Sequence, residues 1–133
     1  MVVVFDSCPL IALVKDEPGA DVVEQLLADP THECHVHAIN LCEFQYDGYR
    51  IRGEQTTDAA ILDFLAQGLI VREDFDADFR LRIARRKAGG RVSLADCCGL
   101  ALAERLGGSF CSADRHELEK FAAAAQPPII FIR

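Results

Sequence analysis

The chain has 133 residues, a length typical of one domain, and half of its residues are hydrophobic. Charged residues make up 26% and no low-complexity tract is present, so the composition excludes a disordered or fibrous protein. Fourteen basic residues against twenty-one acidic ones give a formal net charge of −7. Any contact with nucleic acid must therefore depend on a local patch rather than on bulk positive charge. We expect one globular domain over residues 1–133.

The sequence predicts neither a membrane anchor nor an export signal. No apolar run approaches the ~20 residues of a membrane span. The start of the chain also lacks the basic leader and the long apolar stretch of a signal peptide. We therefore expect a cytoplasmic protein without disulfides, whose six cysteines are reduced thiols packed as small hydrophobic residues.

Strands and helices are predicted to alternate along the chain. In chain order they are a strand over residues 2–5, helices over 7–14 and 22–27, a strand over 35–39, helices over 41–53 and 57–66, a strand over 69–71, helices over 77–88 and 93–106, a strand over 109–112, a helix over 114–125 and a strand over 128–132. The first strand is apolar at every position, which is typical of a strand buried on both faces. This pattern predicts a three-layer α/β/α sandwich around a mainly parallel sheet of four to five strands.

Four acidic residues follow the predicted strands or begin the predicted helices: Asp6, Glu43, Asp96 and Asp114. In an open parallel sheet, ligands bind beyond the carboxyl ends of the strands, where loops and helix N-termini converge. We therefore expect the four carboxylates to meet at one edge of the sheet.

Helix capping is the simpler interpretation of each acid taken alone. Asp6 and Asp114 suit N-cap positions. The pairs Asn40 with Glu43, Ser93 with Asp96, and Asp114 with Glu117 all have the spacing of a capping box. Capping does not explain why four acids gather, because carboxylates in one cleft repel one another unless a cation is present. Oxygen-rich sites of this kind suit Mg²⁺, with Mn²⁺ as a possible substitute.

Four motifs occur in a fixed order: Val4-Phe5-Asp6-Ser7 with Leu10-Ile11-Ala12-Leu13, then Asn40-Leu41-Cys42-Glu43, Ser93-Leu94-Ala95-Asp96 and Ser112-Ala113-Asp114-Arg115. In this order the chain resembles a PIN domain over essentially its whole length. It is similar in particular to the VapC-type toxins of type II toxin-antitoxin modules.

The resemblance implies a Mg²⁺-dependent endoribonuclease that hydrolyses phosphodiester bonds. The family's acidic, metal-binding cluster would correspond to Asp6, Glu43, Asp96 and Asp114. It also implies an RNA substrate, a homodimer, and a small antitoxin partner whose tail covers the acidic groove and whose DNA-binding part represses the operon.

Three further residues are candidate accessory groups. Ser7 and Ser112 match hydroxyl positions of the family and could orient a water or a phosphate. Glu117 stands where some members carry another carboxylate, although a capping role explains it slightly better. Cys8-Pro9 departs from the residues more usual beside the first acid, which puts the local geometry at that position in doubt.

Six basic residues fall in the segment 80–91, a local excess in an acidic chain. Arg85, Arg86 and Lys87 are the best candidates for contacts with the RNA backbone, and a solvated helix face is an equally good interpretation.

Histidines and cysteines are also concentrated between residues 32 and 42: His32, Cys34, His35, His37 and Cys42. Zinc ligands of these types occur at regular short spacings that this segment lacks, so ordinary strand residues are the favoured interpretation.

Two alternatives to a nuclease remain open. One is a non-catalytic PIN-like module that binds RNA or protein. The other is a receiver-type Mg²⁺-binding signalling domain, which would require paired acids after the first strand and a lysine after the last. The RNA target leaves no motif in the sequence.

Overall fold

Five parallel strands form the centre of the computed structural model, which describes residues 1–124 and 126–133. The strands are β1 (Val2–Phe5), β2 (Glu33–His37), β3 (Ile70–Arg72), β4 (Ser109–Ser112) and β5 (Ile129–Phe131). The helices are α1 (Ser7–Lys15), α2 (Ala20–Ala28), α3 (Ala38–Ile51), α4 (Glu54–Ala66), α5 (Ala77–Gly89), α6 (Leu94–Leu106) and α7 (Arg115–Ala124). The predicted end of the last helix at residue 125 lies outside the described residues.

The strands are ordered β3-β2-β1-β4-β5, so β1 is central. Val4 of β1 lies opposite His35 on one side and Phe110 on the other. The direction of the strand order reverses at β1, and the gap between β1 and β4 is where ligands bind in such sheets. Receiver domains have the order 2-1-3-4-5 instead, so the topology excludes that alternative.

Two hydrophobic clusters fill the two faces of the sheet. Val3 and Phe5 of β1 belong to the cluster that α1 to α4 cover, and Val4 belongs to the cluster that α5 to α7 cover. All three residues are fully buried. The alternation of side chains along one strand thus distributes apolar residues to both layers of helices, which confirms the predicted α/β/α sandwich.

The junction between β2 and α3 differs from the prediction. The strand ends at His37, and residues 38 and 39 already belong to α3. The reason is local: Nδ1 of His37 accepts a hydrogen bond from the backbone N–H of Ile39 at 3.1 Å and caps the helix. The capping box predicted for Asn40 and Glu43 is therefore wrong, because Asn40 lies inside the first turn and is fully buried.

The sequence also predicts that the chain has no membrane span and that its cysteines are buried thiols. No helix among residues 1–124 and 126–133 is long and apolar enough to cross a membrane. All six cysteines are free thiols. Four of them are buried as expected, whereas Cys8 is half-buried and Cys42 is exposed.

Gly99 allows α6 to lie directly on β4, and this contact generates a test of the packing. A Cβ atom at Gly99 would lie 2.7 Å from Cζ of the fully buried Phe110 and closer still to its Cε1. We expect Gly99→Ala to lower the free energy of unfolding by about 1–3 kcal/mol, as overpacking in a dense core does. Urea denaturation of the purified variant measures this change.

Gly89→Ala is the matched control, because Gly89 is also helical and a Cβ there meets no atom within 4 Å. The same substitution should there raise stability by about 0.5–1 kcal/mol through helix propensity. Equal effects at the two positions would contradict the close contact between α6 and β4.

Candidate active site

Carboxylates from four elements surround one cleft of about 250 Å³ at the carboxyl edge of the sheet. Asp6 follows β1, Glu43 lies on α3, Asp96 is in the first turn of α6, and Asp114 precedes α7. The residues that line the cleft are Asp6, Ser7, Cys8, Glu43, Ser93, Asp96, Asp114 and Glu117. The fold thus brings together the four acids that the sequence predicted to meet, together with two of the three accessory residues, Ser7 and Glu117.

Asp6 is the most deeply buried of these acids, with 3% of its surface exposed. Its Oδ1 accepts a hydrogen bond of 2.7 Å from the backbone N–H of Ser7, which makes it the N-cap of α1 as predicted. Its Oδ2 accepts a hydrogen bond of 2.8 Å from Oγ of Ser112. Donors from α1 and β4 therefore compensate the burial of the carboxylate.

The two serines hold carboxylates in place in different ways. Ser112 is fully buried and does not line the cleft; its Oγ donates to Asp6 and accepts from the backbone N–H of Asp114 at 3.1 Å. Ser7 lines the cleft, and its Oγ lies 3.5 Å from Oδ1 of Asp6 and 3.4 Å from Oε1 of Glu43. Because a hydroxyl has one proton, Ser7 can donate to only one of these two carboxylates at a time.

Asn40 is a site residue whose role the sequence analysis missed. Its Nδ2 donates to Oδ1 of Asp6 at 3.4 Å and to the backbone carbonyl of Ala95 at 3.2 Å. It therefore connects α3 to the acid after β1 and to the start of α6. The sequence signal for this role is a polar residue close after a buried strand. The capping-box spacing of Asn40 and Glu43 hides that signal, because α3 begins earlier than the sequence predicts.

A second group of carboxylates lies in the same cleft. One ligand atom each of Asp96, Asp114 and Glu117 lies within 4.8 Å of the other two. Both predicted caps are present here, since Oγ of Ser93 accepts from the N–H of Asp96 at 3.1 Å, and Oδ1 of Asp114 accepts from the N–H of Glu117 at 3.1 Å. These residues therefore take part in helix capping and also converge on one point.

Burial and mutual repulsion keep protons on this cluster. Burial raises the pKa of Asp96 to about 8, with the charge of Asp6 and a hydrogen bond with Glu117 adding to the shift. Burial also raises the pKa of Asp6, although the hydrogen bonds from Ser112 and Ser7 oppose this. The pKa of Glu43 is raised by burial and then by the charge of Asp6. The cleft therefore holds more negative charge than its own donors can neutralise.

The donor set fits a hard divalent cation. The cleft offers the carboxylate oxygens of its acids and the hydroxyl oxygens of Ser7 and Ser93, the ligand type that Mg²⁺ prefers. Two oxygens on opposite sides of one Mg²⁺ are ~4.2 Å apart, close to the 4.8 Å limit within which the atoms of Asp96, Asp114 and Glu117 lie.

Cys8 lines the cleft without offering a thiolate. Burial and then the charge of Asp6 raise the pKa of its thiol to about 12. The residue is therefore a neutral wall of the cleft and no nucleophile at neutral pH.

The basic residues predicted to contact RNA lie on α5, and none lines the acidic cleft. Arg86 donates to Oε2 of Glu104 at 2.6 Å and to the carbonyl of Gln126 at 3.2 Å, and Lys87 donates to the carbonyl of Val92 at 2.9 Å. Arg85 is exposed and makes no hydrogen bond to protein among the described residues. Two of the three cations therefore stabilise the packing of α5 with its neighbours.

The histidines and cysteines between residues 32 and 42 do not form a metal cluster within the described parts of the chain. His32 and Cys34 both contact the carbonyl of Leu26, while His35 pairs with Glu33 and His37 bonds to the carbonyl of Asp74. These four side chains therefore each contact a nearby carbonyl or carboxylate rather than one another.

The comparisons with known proteins agree with this architecture. The family model for the PIN domain matches residues 3–124, so the chain belongs to the PIN domain family. No curated protein matches the chain in sequence.

Solved structures of toxin-antitoxin systems have the same fold. A chain of the DNA-bound VapBC complex from Salmonella typhimurium is 15% identical, with a TM-score of 0.74 over 100% of this chain and 99% of that one. A toxin-antitoxin complex from Klebsiella pneumoniae gives 19% identity and a TM-score of 0.73, with 98% of both chains covered. VapC20 of Mycobacterium tuberculosis, a sarcin-ricin loop cleaving toxin, is 18% identical, with a TM-score of 0.71 over 92% of this chain and 94% of that one.

The raised pKa of Asp96 predicts how stability depends on pH. An unfolded aspartate titrates near ~3.9, so between about pH 4 and pH 8 the folded protein keeps a proton that the unfolded chain has lost. The free energy of unfolding of the metal-free protein should therefore fall as pH rises across this interval. Asp96→Asn should make this dependence weaker and be more stable than the natural protein at pH 8 by at least about 1 kcal/mol. Urea denaturation in chelator at pH 5, 6, 7 and 8 measures both effects.

Asp21→Asn is the control for this measurement, since Asp21 is exposed in the first turn of α2. It should leave the pH dependence as it is. If Asp96→Asn instead destabilises the metal-free protein at every pH, the carboxylate is not under electrostatic strain.

Proposed function

We propose that the chain, as one domain over residues 1–133, is a divalent-metal-dependent endoribonuclease that acts as the cytoplasmic toxin of a toxin-antitoxin pair. The observation that carries the proposal is the convergence of four carboxylates from β1, α3, α6 and α7 on one cleft of a PIN domain. Support for RNA as substrate comes from the shared fold with toxins, one of which cleaves the sarcin-ricin loop.

The acids would act as cation ligands. Asp96, Asp114 and Glu117 already converge, and Asp6 and Glu43, which line the same cleft, would complete the set. Mg²⁺, or Mn²⁺ in its place, supplies a water of lowered pKa and neutralises charge that develops on the phosphate and the leaving oxygen. We therefore assign Glu117 a place beside the four acids that the sequence singled out.

The hydrogen-bonding residues around the acids would act by positioning. Ser112 fixes Asp6 relative to the backbone before α7, and Asn40 fixes Asp6 relative to the start of α6. Ser7, which can donate to either Asp6 or Glu43, lines the cleft together with Ser93, and its hydroxyl could hold a water or a phosphate oxygen. No protein nucleophile is required, since the thiol of Cys8 stays protonated.

An antitoxin is the proposed protein partner, and the protein is proposed to form a homodimer. The structural relatives include complexes of toxin with antitoxin, two of them bound to promoter or other DNA. A cleft with this excess of negative charge would be closed well by a basic segment of a partner.

Cleavage of labelled RNA by antitoxin-free protein tests the proposal. With Mg²⁺ the natural protein should cut RNA, and chelator should abolish cutting. Asp96→Asn should reduce the rate by more than about 100-fold, because changes outside a ligand set already cost about 10- to 100-fold. Asp21→Asn, with the same change in charge, should cut at the natural rate.

Thermal unfolding with and without Mg²⁺ separates binding from cutting. A cation at 100 times its Kd stabilises the folded protein by about 2.7 kcal/mol, and Asp96→Asn should lose this gain. If the natural protein neither cuts RNA nor gains stability from Mg²⁺, the nuclease proposal is wrong and the chain is better described as a non-catalytic binding module.

A further inference from the structure

A second, smaller cleft of about 210 Å³ lies directly beside the acidic one and has the opposite charge. It is lined by Arg91, His116, Glu117 and Lys120. Glu117 lines both clefts, so the two share a wall. One side of this glutamate therefore faces carboxylates, while the other faces basic side chains.

Two elements build this basic cleft. His116 and Lys120 are one turn apart on α7, and Arg91 lies in the loop between α5 and α6, two residues before the cap of α6 at Ser93. The loop approaches α7 closely, since a Cβ atom at Gly90 would lie 3.2 Å from Nζ of Lys120. Because Asp114 and Ser93 begin the same two helices, the elements that position the acids also position these cations.

The basic side chains of this cleft differ from most others nearby in having no protein acceptor. Among the described residues, no hydrogen bond or ion pair involves the side chain of Arg91, His116 or Lys120, and all three are exposed. By contrast, Arg82 and Arg86 on α5 pair with Glu104, and Arg82 also pairs with Asp78. Cations that converge without a counter-charge other than Glu117 repel one another and favour a bound anion.

We propose that Arg91, His116 and Lys120 form a subsite for a backbone phosphate of the RNA, next to the phosphodiester that lies at the acidic cleft. The inference rests on the proposed nuclease function and extends it by naming how the substrate is held. Guanidinium and ammonium groups bind phosphate through charge-assisted hydrogen bonds, and the imidazole of His116 adds a further donor. In a chain of net charge −7, such a local site is what an RNA backbone requires.

The subsite replaces α5 as the principal contact for the RNA backbone. Arg86 and Lys87 already donate to protein acceptors, so binding RNA would require them to give up those bonds. Arg91, four residues after Lys87, has no protein acceptor among the described residues and keeps its guanidinium available. Within the basic segment 80–91, Arg86 and Lys87 therefore contribute to packing, and Arg91 contributes to RNA binding.

Fluorescence anisotropy with a short labelled single-stranded RNA tests the subsite, using Asp96→Asn as the parent so that the RNA is not cut. Arg91→Gln with Lys120→Gln in this parent should weaken binding by about tenfold or more. The slope of log K against log salt should become smaller by ~0.7, as expected when one phosphate contact to a single strand is lost. Lys15→Gln with Arg50→Gln, two exposed positions on α1 and α3, removes the same charge and should change neither quantity.

The outcomes separate the subsite from the nuclease proposal. If the natural protein cuts RNA with Mg²⁺ but the Arg91 and Lys120 variant binds like its parent, the subsite is wrong and the nuclease function stands. The subsite is also wrong if the Lys15 and Arg50 variant loses as much RNA affinity as the Arg91 and Lys120 variant. The same holds if Arg85→Gln loses more RNA affinity than the Arg91 and Lys120 variant. If the natural protein neither binds nor cuts RNA, both proposals fall together.

Discussion

The carboxylate of Asp6 is buried at the point where the strand order reverses, and the geometry of the whole site depends on keeping it there. A buried charge must be compensated by donors. Here the donors come from three different elements: the backbone of α1, Asn40 on α3, and Ser112 at the end of β4. Each of these bonds also fixes the element that supplies it. The need to compensate one carboxylate therefore aligns the starts of the helices that carry the other acids.

The same arrangement is unfavourable for the protein without a cation. Donors around Asp6 compensate only part of its burial, and burial together with the charge of Asp6 also raises the pKa of Asp96, to about 8. Residues selected for stability alone would place an amide or an apolar side chain at the Asp96 position, which is 6% exposed. Electrostatic strain concentrated at one cleft, in a core that is otherwise densely packed, is typical of a functional site.

Much of this structure could be predicted from the sequence, because the signals involved are local. The fully apolar β1, the glycine-terminated helices and the acids at the ends of strands all follow from short patterns. The start of α3 could not be predicted in this way, since Ala38 and Ile39 suit a strand and the cap is a histidine side chain. The role of Asn40 was missed for the same reason.

Long-range contacts are the second feature that could not be predicted from the sequence. The sequence shows a basic segment over residues 80–91, but not that Glu104, two residues before the end of α6, neutralises two of its arginines. Nor does it show that His116 and Lys120, 25 residues or more from Arg91, lie against the same loop. Which cations remain available for a ligand depends on tertiary packing, and spacing along the chain does not encode it.

The division of charge around Glu117 explains how an acidic protein can bind a polyanion. A carboxylate cluster repels RNA unless a cation occupies it. A bound cation alone attracts any phosphate and does not orient the RNA strand. A fixed basic cleft on the far side of the same glutamate supplies a second point of attachment, and two points define a direction along the backbone. Because α7 lines both clefts, and Asp96 and Arg91 lie on α6 and in the loop just before it, the distance between the two points depends on how α6 and α7 pack together. The rigidity of the fold would then determine which phosphodiester of a bound strand lies at the acids.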